Sequence, residues 1–215
     1  MKGRTGRGLF ITFEGMDCSG KTTQMEHLSA RLQAKGRQVL CTREPGGTPM
    51  AERIREILLG KSPNEIVTPE AELLLFGAAR AQHVANVIAP FVAKGGIVLC
   101  DRFFDSTTAY QGYARGLELG FIGKLHEFCC GTCIPDLTFL FEIPLRESRK
   151  RLAARKGEAE PDRMEEEGNS FHQAVHDGFL KIAEANPGRV RIIDAMQSVD
   201  EVEKSIWEIL ENELA

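Results

Sequence analysis

The 215-residue chain has no excess of basic charge: 27 lysines and arginines stand against 31 aspartates and glutamates, a formal net charge of −4. A general nucleic-acid binder is normally strongly basic, so no nucleic-acid partner is expected. No apolar run approaches the length that spans a bilayer, and no membrane partner is expected either. The basic start, residues 1–8, lacks a signal-peptide h-region with a small-residue cleavage site and reads as a flexible tail. Internal repeats and low-complexity segments are missing, so the chain reads as one domain over residues 1–215. Six cysteines without a secretory context point to reduced thiols and a cytoplasmic location. His126, Cys129, Cys130 and Cys133 cluster as zinc ligands could, but the C-x-x-C lacks a second paired half, which favours packed thiols over a structural metal.

Apolar runs alternate with helical periodicity along the chain, the signature of a parallel sheet covered on both faces. Strands are expected at 9–14, 38–42, 97–100, 137–142 and 190–193. Helices are expected at 22–35, 49–59, 69–93, 122–129, 145–155, 169–186 and 199–214, separated by turns such as Pro45-Gly46-Gly47 and Asn186-Pro187-Gly188. One segment breaks the pattern. Residues 156–163 are charged and non-periodic, with Arg149, Arg151, Arg155 and Arg163 around them, which reads as a lid over about 151–167. Arg151 and Arg155, four apart, share a helix face.

The segment Gly15-Met16-Asp17-Cys18-Ser19-Gly20-Lys21-Thr22 lies between the first strand and the first helix and matches G-x-x-x-x-G-K-[ST]. Its glycines let backbone N–H groups turn toward a polyphosphate at a helix N-terminus, with Lys21 reaching the β- and γ-phosphates and the Thr22 hydroxyl available to Mg²⁺. A nucleotide-binding function follows. The third expected strand ends in Asp101-Arg102, which brings a carboxylate for Mg²⁺ and a phosphate-reading arginine to the same crevice. No N-K-x-D segment is present to specify guanine, which disfavours a GTP-dependent switch. On the apolar helix 69–93, Phe76 and Arg80 are one turn apart, so an aromatic plane and a fork of donors project together and could seat a pyrimidine, with Gln111 offering a paired donor and acceptor.

Asp101-Arg102-Phe103-Phe104-Asp105-Ser106-Thr107-Thr108-Ala109-Tyr110-Gln111 closely resembles the signature segment of thymidylate kinases. Thr42-Arg43-Glu44-Pro45-Gly46-Gly47-Thr48 is similar to their second loop in its bacterial form, and Glu72-Leu73-Leu74-Leu75-Phe76-Gly77-Ala78-Ala79-Arg80 to their nucleotide-binding helix. The resemblance implies an α/β fold of the P-loop NTPase class. That fold is a three-layer α/β/α sandwich with a five-stranded parallel sheet, like that of nucleoside-monophosphate kinases, with a lid. It implies ATP and Mg²⁺ acting on dTMP to give dTDP, and a homodimer packed through helices such as 69–93. It places ATP on Gly15 to Thr22, with Arg151 and Arg163 from the lid, and Mg²⁺ on Thr22 and Asp101. The acceptor dTMP falls to Glu44, Arg55, Phe76, Arg80, Arg102, Thr107 and Gln111. Catalysis falls to Lys21, Arg102, Asp17 and a lid arginine. Some members of the family carry that arginine inside the phosphate loop. Here the place holds uncharged Cys18, so the lid supplies it, with Arg155 as the choice and Arg151 and Arg163 as alternates. The paired Arg55 and Arg102 disfavour a nucleoside kinase, whose neutral acceptor offers them no anion.

Overall fold

A computed structural model gives the fold and describes residues 7–61, 66–155 and 162–214. Residues 1–6 of the expected tail and 156–161 of the expected lid lie outside the described residues, as does the side chain of Arg155. Five strands form the centre: β1 (Leu9–Gly15), β2 (Val39–Arg43), β3 (Ile97–Asp101), β4 (Leu137–Glu142) and β5 (Val190–Asp194). They pair in parallel in the order β2-β3-β1-β4-β5. Near-continuous apolar runs are what parallel strands covered on both faces require, and every residue of β1 is buried. Alternation along β1 divides the core. Ile11 and Phe13 pack with Met25, Leu28 and Leu32 of α1 (Lys21–Ala34) and with Ile206 and Leu210 of α9 (Val199–Leu214). Phe10 joins Val84, Ile88, Val92, Cys129 and Cys130 in a second cluster. The result is the expected α/β/α sandwich.

Helix α2 (Pro49–Leu59) and helix α3 (Pro69–His83) start alike, with a threonine cap followed by proline in the first turn. The Thr48 hydroxyl accepts from the Ala51 N–H at 3.1 Å and the Thr68 hydroxyl from the Ala71 N–H at 3.3 Å. The helix expected over 69–93 is interrupted: π-helical turns at Val84–Ile88 separate α3 from α4 (Ala89–Ala93). Pro90 has no N–H for an ordinary turn and its ring crowds the carbonyl four residues back, and the wider turn relieves both. A further helical stretch was not legible from periodicity, α5 (Phe104–Thr107) continuing as π turns at Thr108–Ala114. Helix α6 (Leu119–Cys130) begins three residues before the expected 122, because the Glu118 carboxylate accepts from the Gly120 and Phe121 N–H groups and caps it there. Helices α7 (Leu145–Arg155) and α8 (Asn169–Ala185) complete the layers.

No disulfide joins any of the six cysteines, and Cys100, Cys129, Cys130 and Cys133 are buried. Burial pushes the Cys130 thiol up to about 12 and Cys133 up to about 11, which keeps both protonated and unreactive. His126 is pushed down to about 3 by burial and then by Arg80, and its Nε2 lies 3.0 Å from the Thr108 hydroxyl. Among the described residues no group of three or more His, Cys, Asp or Glu side chains is arranged to hold a metal ion, and no helix is long and apolar enough to cross a membrane.

Candidate active site

The site is built where β1 and β3 end. Gly15 closes β1 at φ 132°, and a Cβ there would come within 2.5 Å of the Phe141 carbonyl oxygen, so only glycine fits. Gly20 at φ 95° turns the chain into α1 and aims the free N–H groups of that helix at the loop. Cys18 is also left-handed, at φ 56°. The Lys21 ammonium donates to the carbonyl oxygens of Met16 at 2.7 Å and Gly15 at 3.3 Å. Burial, and then the neighbouring Arg102, push it down to about 8. The Thr22 hydroxyl donates to Asp101 Oδ2 at 2.7 Å. A hydroxyl and a carboxylate side by side, all oxygen, suit a hard cation that takes its remaining ligands from phosphates and water.

Arg102 occupies a conformation that side chains rarely adopt, φ 65°. Several contacts hold it there: its N–H donates to the Phe13 carbonyl at 2.9 Å, Nη1 to the Gly15 carbonyl at 2.9 Å and the Ser106 hydroxyl at 3.1 Å, and Nη2 to Asp17 Oδ1 at 2.6 Å. Beneath it, buried Glu14 accepts from the N–H of Phe103 at 2.7 Å and from the Ser106 hydroxyl at 2.5 Å. Next to Glu14, Arg189 makes a two-pronged ion pair with Asp105, at 2.6 and 2.8 Å. Burial and the Asp105 charge push the Glu14 carboxyl up to about 8. Asp17 goes the other way: burial alone would raise it, but Arg102 and Lys21 outweigh that and hold it below its ordinary value. Backbone strain maintained by this many contacts is a mark of a functional position.

The opposite wall is set by α3. Arg80 is 2% exposed. Its Nε donates to Glu44 Oε2 at 2.8 Å and its Nη2 to the Thr107 hydroxyl at 2.9 Å, while Nη1 is buried without a partner. Both Glu44 oxygens are committed, the second lying 3.0 Å from His83 Nδ1, so Glu44 anchors Arg80. Half-buried Phe76 and Arg80 line one cleft, so neither is sealed inside the fold. Arg55 donates to the Pro45 carbonyl at 3.0 Å and lines the same cleft. One N–H of the Gln111 amide donates to Glu72 Oε1 at 2.7 Å, which fixes which prong of the side chain is nitrogen and which is oxygen.

The cleft measures about 630 Å3 and brings together Asp17, Cys18, Ser19, Gly20, Lys21, Thr22, Glu44, Arg55, Phe76, Arg80, Asp101, Arg102, Thr107 and Gln111. Gly15 and Met16 stand behind it, holding Lys21 through their carbonyls. Two expected residues are not brought to the phosphate loop. Arg151 donates to the Ala195 carbonyl at 3.2 Å, and Arg163 donates to the Leu58 carbonyl at 3.0 Å and to Glu72 Oε2 at 2.6 Å. Asp162, Met164 and Glu165, at the far end of the expected lid, also line the cleft. Sequence reasoning missed Glu14, Ser106 and Glu72. An acid at the end of an apolar strand was a signal for Glu14, and an acid on a helix as apolar as α3 for Glu72. Ser106 gave none.

The sequence profile of thymidylate kinase matches residues 13–206. The chain belongs to the thymidylate kinase family. The thymidylate kinase of Pseudomonas savastanoi pv. phaseolicola is 51% identical over 203 residues, which cover 94% of this chain and 95% of that protein. That of Syntrophotalea carbinolica is 48% identical over 209 residues, 95% of this chain and 96% of its own length. A crystal structure of thymidylate kinase from Ehrlichia chaffeensis superposes with a TM-score of 0.73 at 34% identity, over 95% of this chain and 99% of that one. Family members thus share this fold end to end, not the phosphate loop alone.

Proposed function

We propose that this member of the thymidylate kinase family transfers the γ-phosphoryl group of ATP to dTMP, giving ADP and dTDP. One observation carries the reading: a single cleft has the phosphate loop at one end and, at the other, Phe76 beside a buried arginine with one unpartnered donor, Arg80 Nη1. Thymine stacks on Phe76 with its O4 toward that donor. The acceptor phosphate lies against Arg55 and Arg102, and Asp17, which holds Arg102, faces the sugar side.

Transfer between two phosphates is governed by positioning and charge neutralisation. Lys21 exchanges the Met16 and Gly15 carbonyls for donor phosphate oxygens. Thr22 and Asp101 would hold Mg²⁺, which would supply neutralisation of the phosphate charge. The acceptor phosphate is already anionic at neutral pH, so no general base is needed. Arg155, at the end of α7, is the proposed lid arginine, and Arg151 of α7, which donates to Ala195 on the loop after β5, supports the adenine end. Arg163, committed to Glu72, is given no role on ATP. We place the enzyme in the cytoplasm, in keeping with its unbridged thiols, as a homodimer formed through the outer faces of α3 and α6, where Leu74, Phe121 and Phe128 are exposed. With ATP, Mg²⁺ and a panel of monophosphates, dTMP is expected to turn over fastest. Equal or faster turnover of CMP, AMP or GMP contradicts the substrate assignment and leaves the fold intact.

A further inference from the structure

Glu72 lies on α3, fully buried, yet no substrate group is assigned to it. Its carboxylate is saturated by three residues: Oε1 accepts from Gln111 Nε2 at 2.7 Å and Arg115 Nε at 3.3 Å, and Oε2 accepts from Arg163 at 2.6 Å and Arg115 Nη2 at 3.2 Å. The contact with Gln111 has a consequence for chemistry in the cleft. A carboxamide carries its donor and acceptor on opposite prongs, and an ionised carboxylate only accepts. Turning the amide over would place its oxygen 2.7 Å from a carboxylate oxygen. One of the two N–H bonds of the NH2 prong is therefore held on Glu72, which fixes the orientation of the amide and so the side on which its acceptor oxygen stands, on a side chain that lines the cleft.

Thr107 and Gln111 lie one helical turn apart, and Thr107 holds the Arg80 guanidinium whose Nη1 is unpartnered. Both side chains line the one cleft, Arg80 with an unpartnered donor and Gln111 with an acceptor oxygen. The O4 and N3–H of thymine present the complementary pair, whereas the N4 amino group and N3 lone pair of cytosine present the reverse. We infer that Glu72 is a specificity-determining positioning residue: by fixing the amide of Gln111 it makes that side chain an acceptor toward the base, and so excludes cytosine. This inference rests on the dTMP reading of the acceptor site.

The test compares kcat/KM for dTMP and dCMP in the parent enzyme and in Glu72→Gln. A neutral amide at position 72 can pair with either prong of Gln111 and releases the lock. The dTMP:dCMP ratio is expected to fall about 10–100-fold, as a reversed buried hydrogen-bond pair implies, with KM for ATP unchanged. Equal losses for both substrates, leaving the ratio intact, overturn the inference and mark Glu72 as purely structural. A parent enzyme that does not prefer dTMP over dCMP overturns the substrate reading and this inference together. Independently of any folding defect in the variant, ¹⁵N NMR of the parent reads the Gln111 side-chain amide, assigned by its loss in Gln111→Ala. One of its two protons, held by Glu72, should exchange slowly, and dTMP binding should shift the side-chain carbonyl ¹³C of Gln111 while leaving that exchange slow. Fast exchange of both amide protons in the parent, or no carbonyl shift on dTMP binding, overturns the inference.

Discussion

Lys21 is a buried cation, and burial and then the neighbouring Arg102 lower its pKa despite the hydrogen bonds it donates to the Met16 and Gly15 carbonyls and the Ser19 hydroxyl. A polyphosphate alongside it restores the protonated form, so nucleotide binding takes up a proton once the pH exceeds about 8. ATP affinity, measured by calorimetry, is therefore expected to hold up to near that pH and to weaken as pH rises through it. An affinity flat across the range contradicts the assignment. Replacing the cation in Lys21→Met should lower kcat by about 10²–10³, the scale of losing one preorganised charge-stabilising donor. Phe76→Ala should weaken dTMP binding by about 1–3 kcal/mol, the usual worth of a base stacked on an aromatic ring, with KM for ATP unaffected. Lys21, Thr22 and Asp101 were legible in the sequence because their chemistry is local, a motif and a strand end. The lock on Gln111 was not: Glu72 and Gln111 are 39 positions apart, and nothing in either neighbourhood pairs them.

At the scale of elements, the junction between β1 and α5 concentrates the buried charge. Glu14, at the end of β1, satisfies the start of α5, and Asp105 from α5 is satisfied by Arg189 just ahead of β5. The folded-state pKa of Glu14, about 8, lies above its ordinary 4.5, so the folded chain holds a proton there that the unfolded chain releases. Its contribution to stability is full below about 4.5 and is lost as pH rises through about 8. Glu14→Gln should remove that slope, so its melting temperature should fall less between pH 5 and 8 than that of the parent. Equal falls contradict the protonated carboxyl. Arg189→Met leaves Asp105 buried beside Glu14 without its partner and is expected to destabilise by about 3–5 kcal/mol in denaturant unfolding. The central strands β1, β3 and β4 were readable within a residue because burial on both faces demands continuous apolar runs, while the partly exposed edge strands β2 and β5 were marked by short β-branched and aliphatic runs. Residues 104–114 were not, since Asp105-Ser106-Thr107-Thr108 shows no helical periodicity and is held instead by Glu14 and Arg189. The π turns before Pro90 escaped for a similar reason: the apolar pattern runs through them unchanged.

For the whole molecule, the strand order β2-β3-β1-β4-β5 places β1 and β3 side by side, which brings the phosphate loop and Asp101-Arg102 to one edge and lets α3 face them. Strand existence was legible, but the order and the facing of α3 came only from tertiary packing. On α6 and α3, which pack against each other, Phe128 is 86% exposed and Phe121 and Leu74 are about half exposed. Light scattering at micromolar concentration should give about twice the 23.8 kDa of one chain, and a single-chain mass contradicts the homodimer. The most direct measurement is a crystal structure with dTMP and a non-hydrolysable ATP analogue bound together. The expected result is thymine on Phe76 with its O4 at hydrogen-bond distance from Arg80 Nη1, and the acceptor phosphate against Arg55 and Arg102, facing the γ-phosphate on the loop. A thymine ring bound away from Phe76 and Arg80, or two nucleotides in separate sites, would contradict the single two-ended cleft.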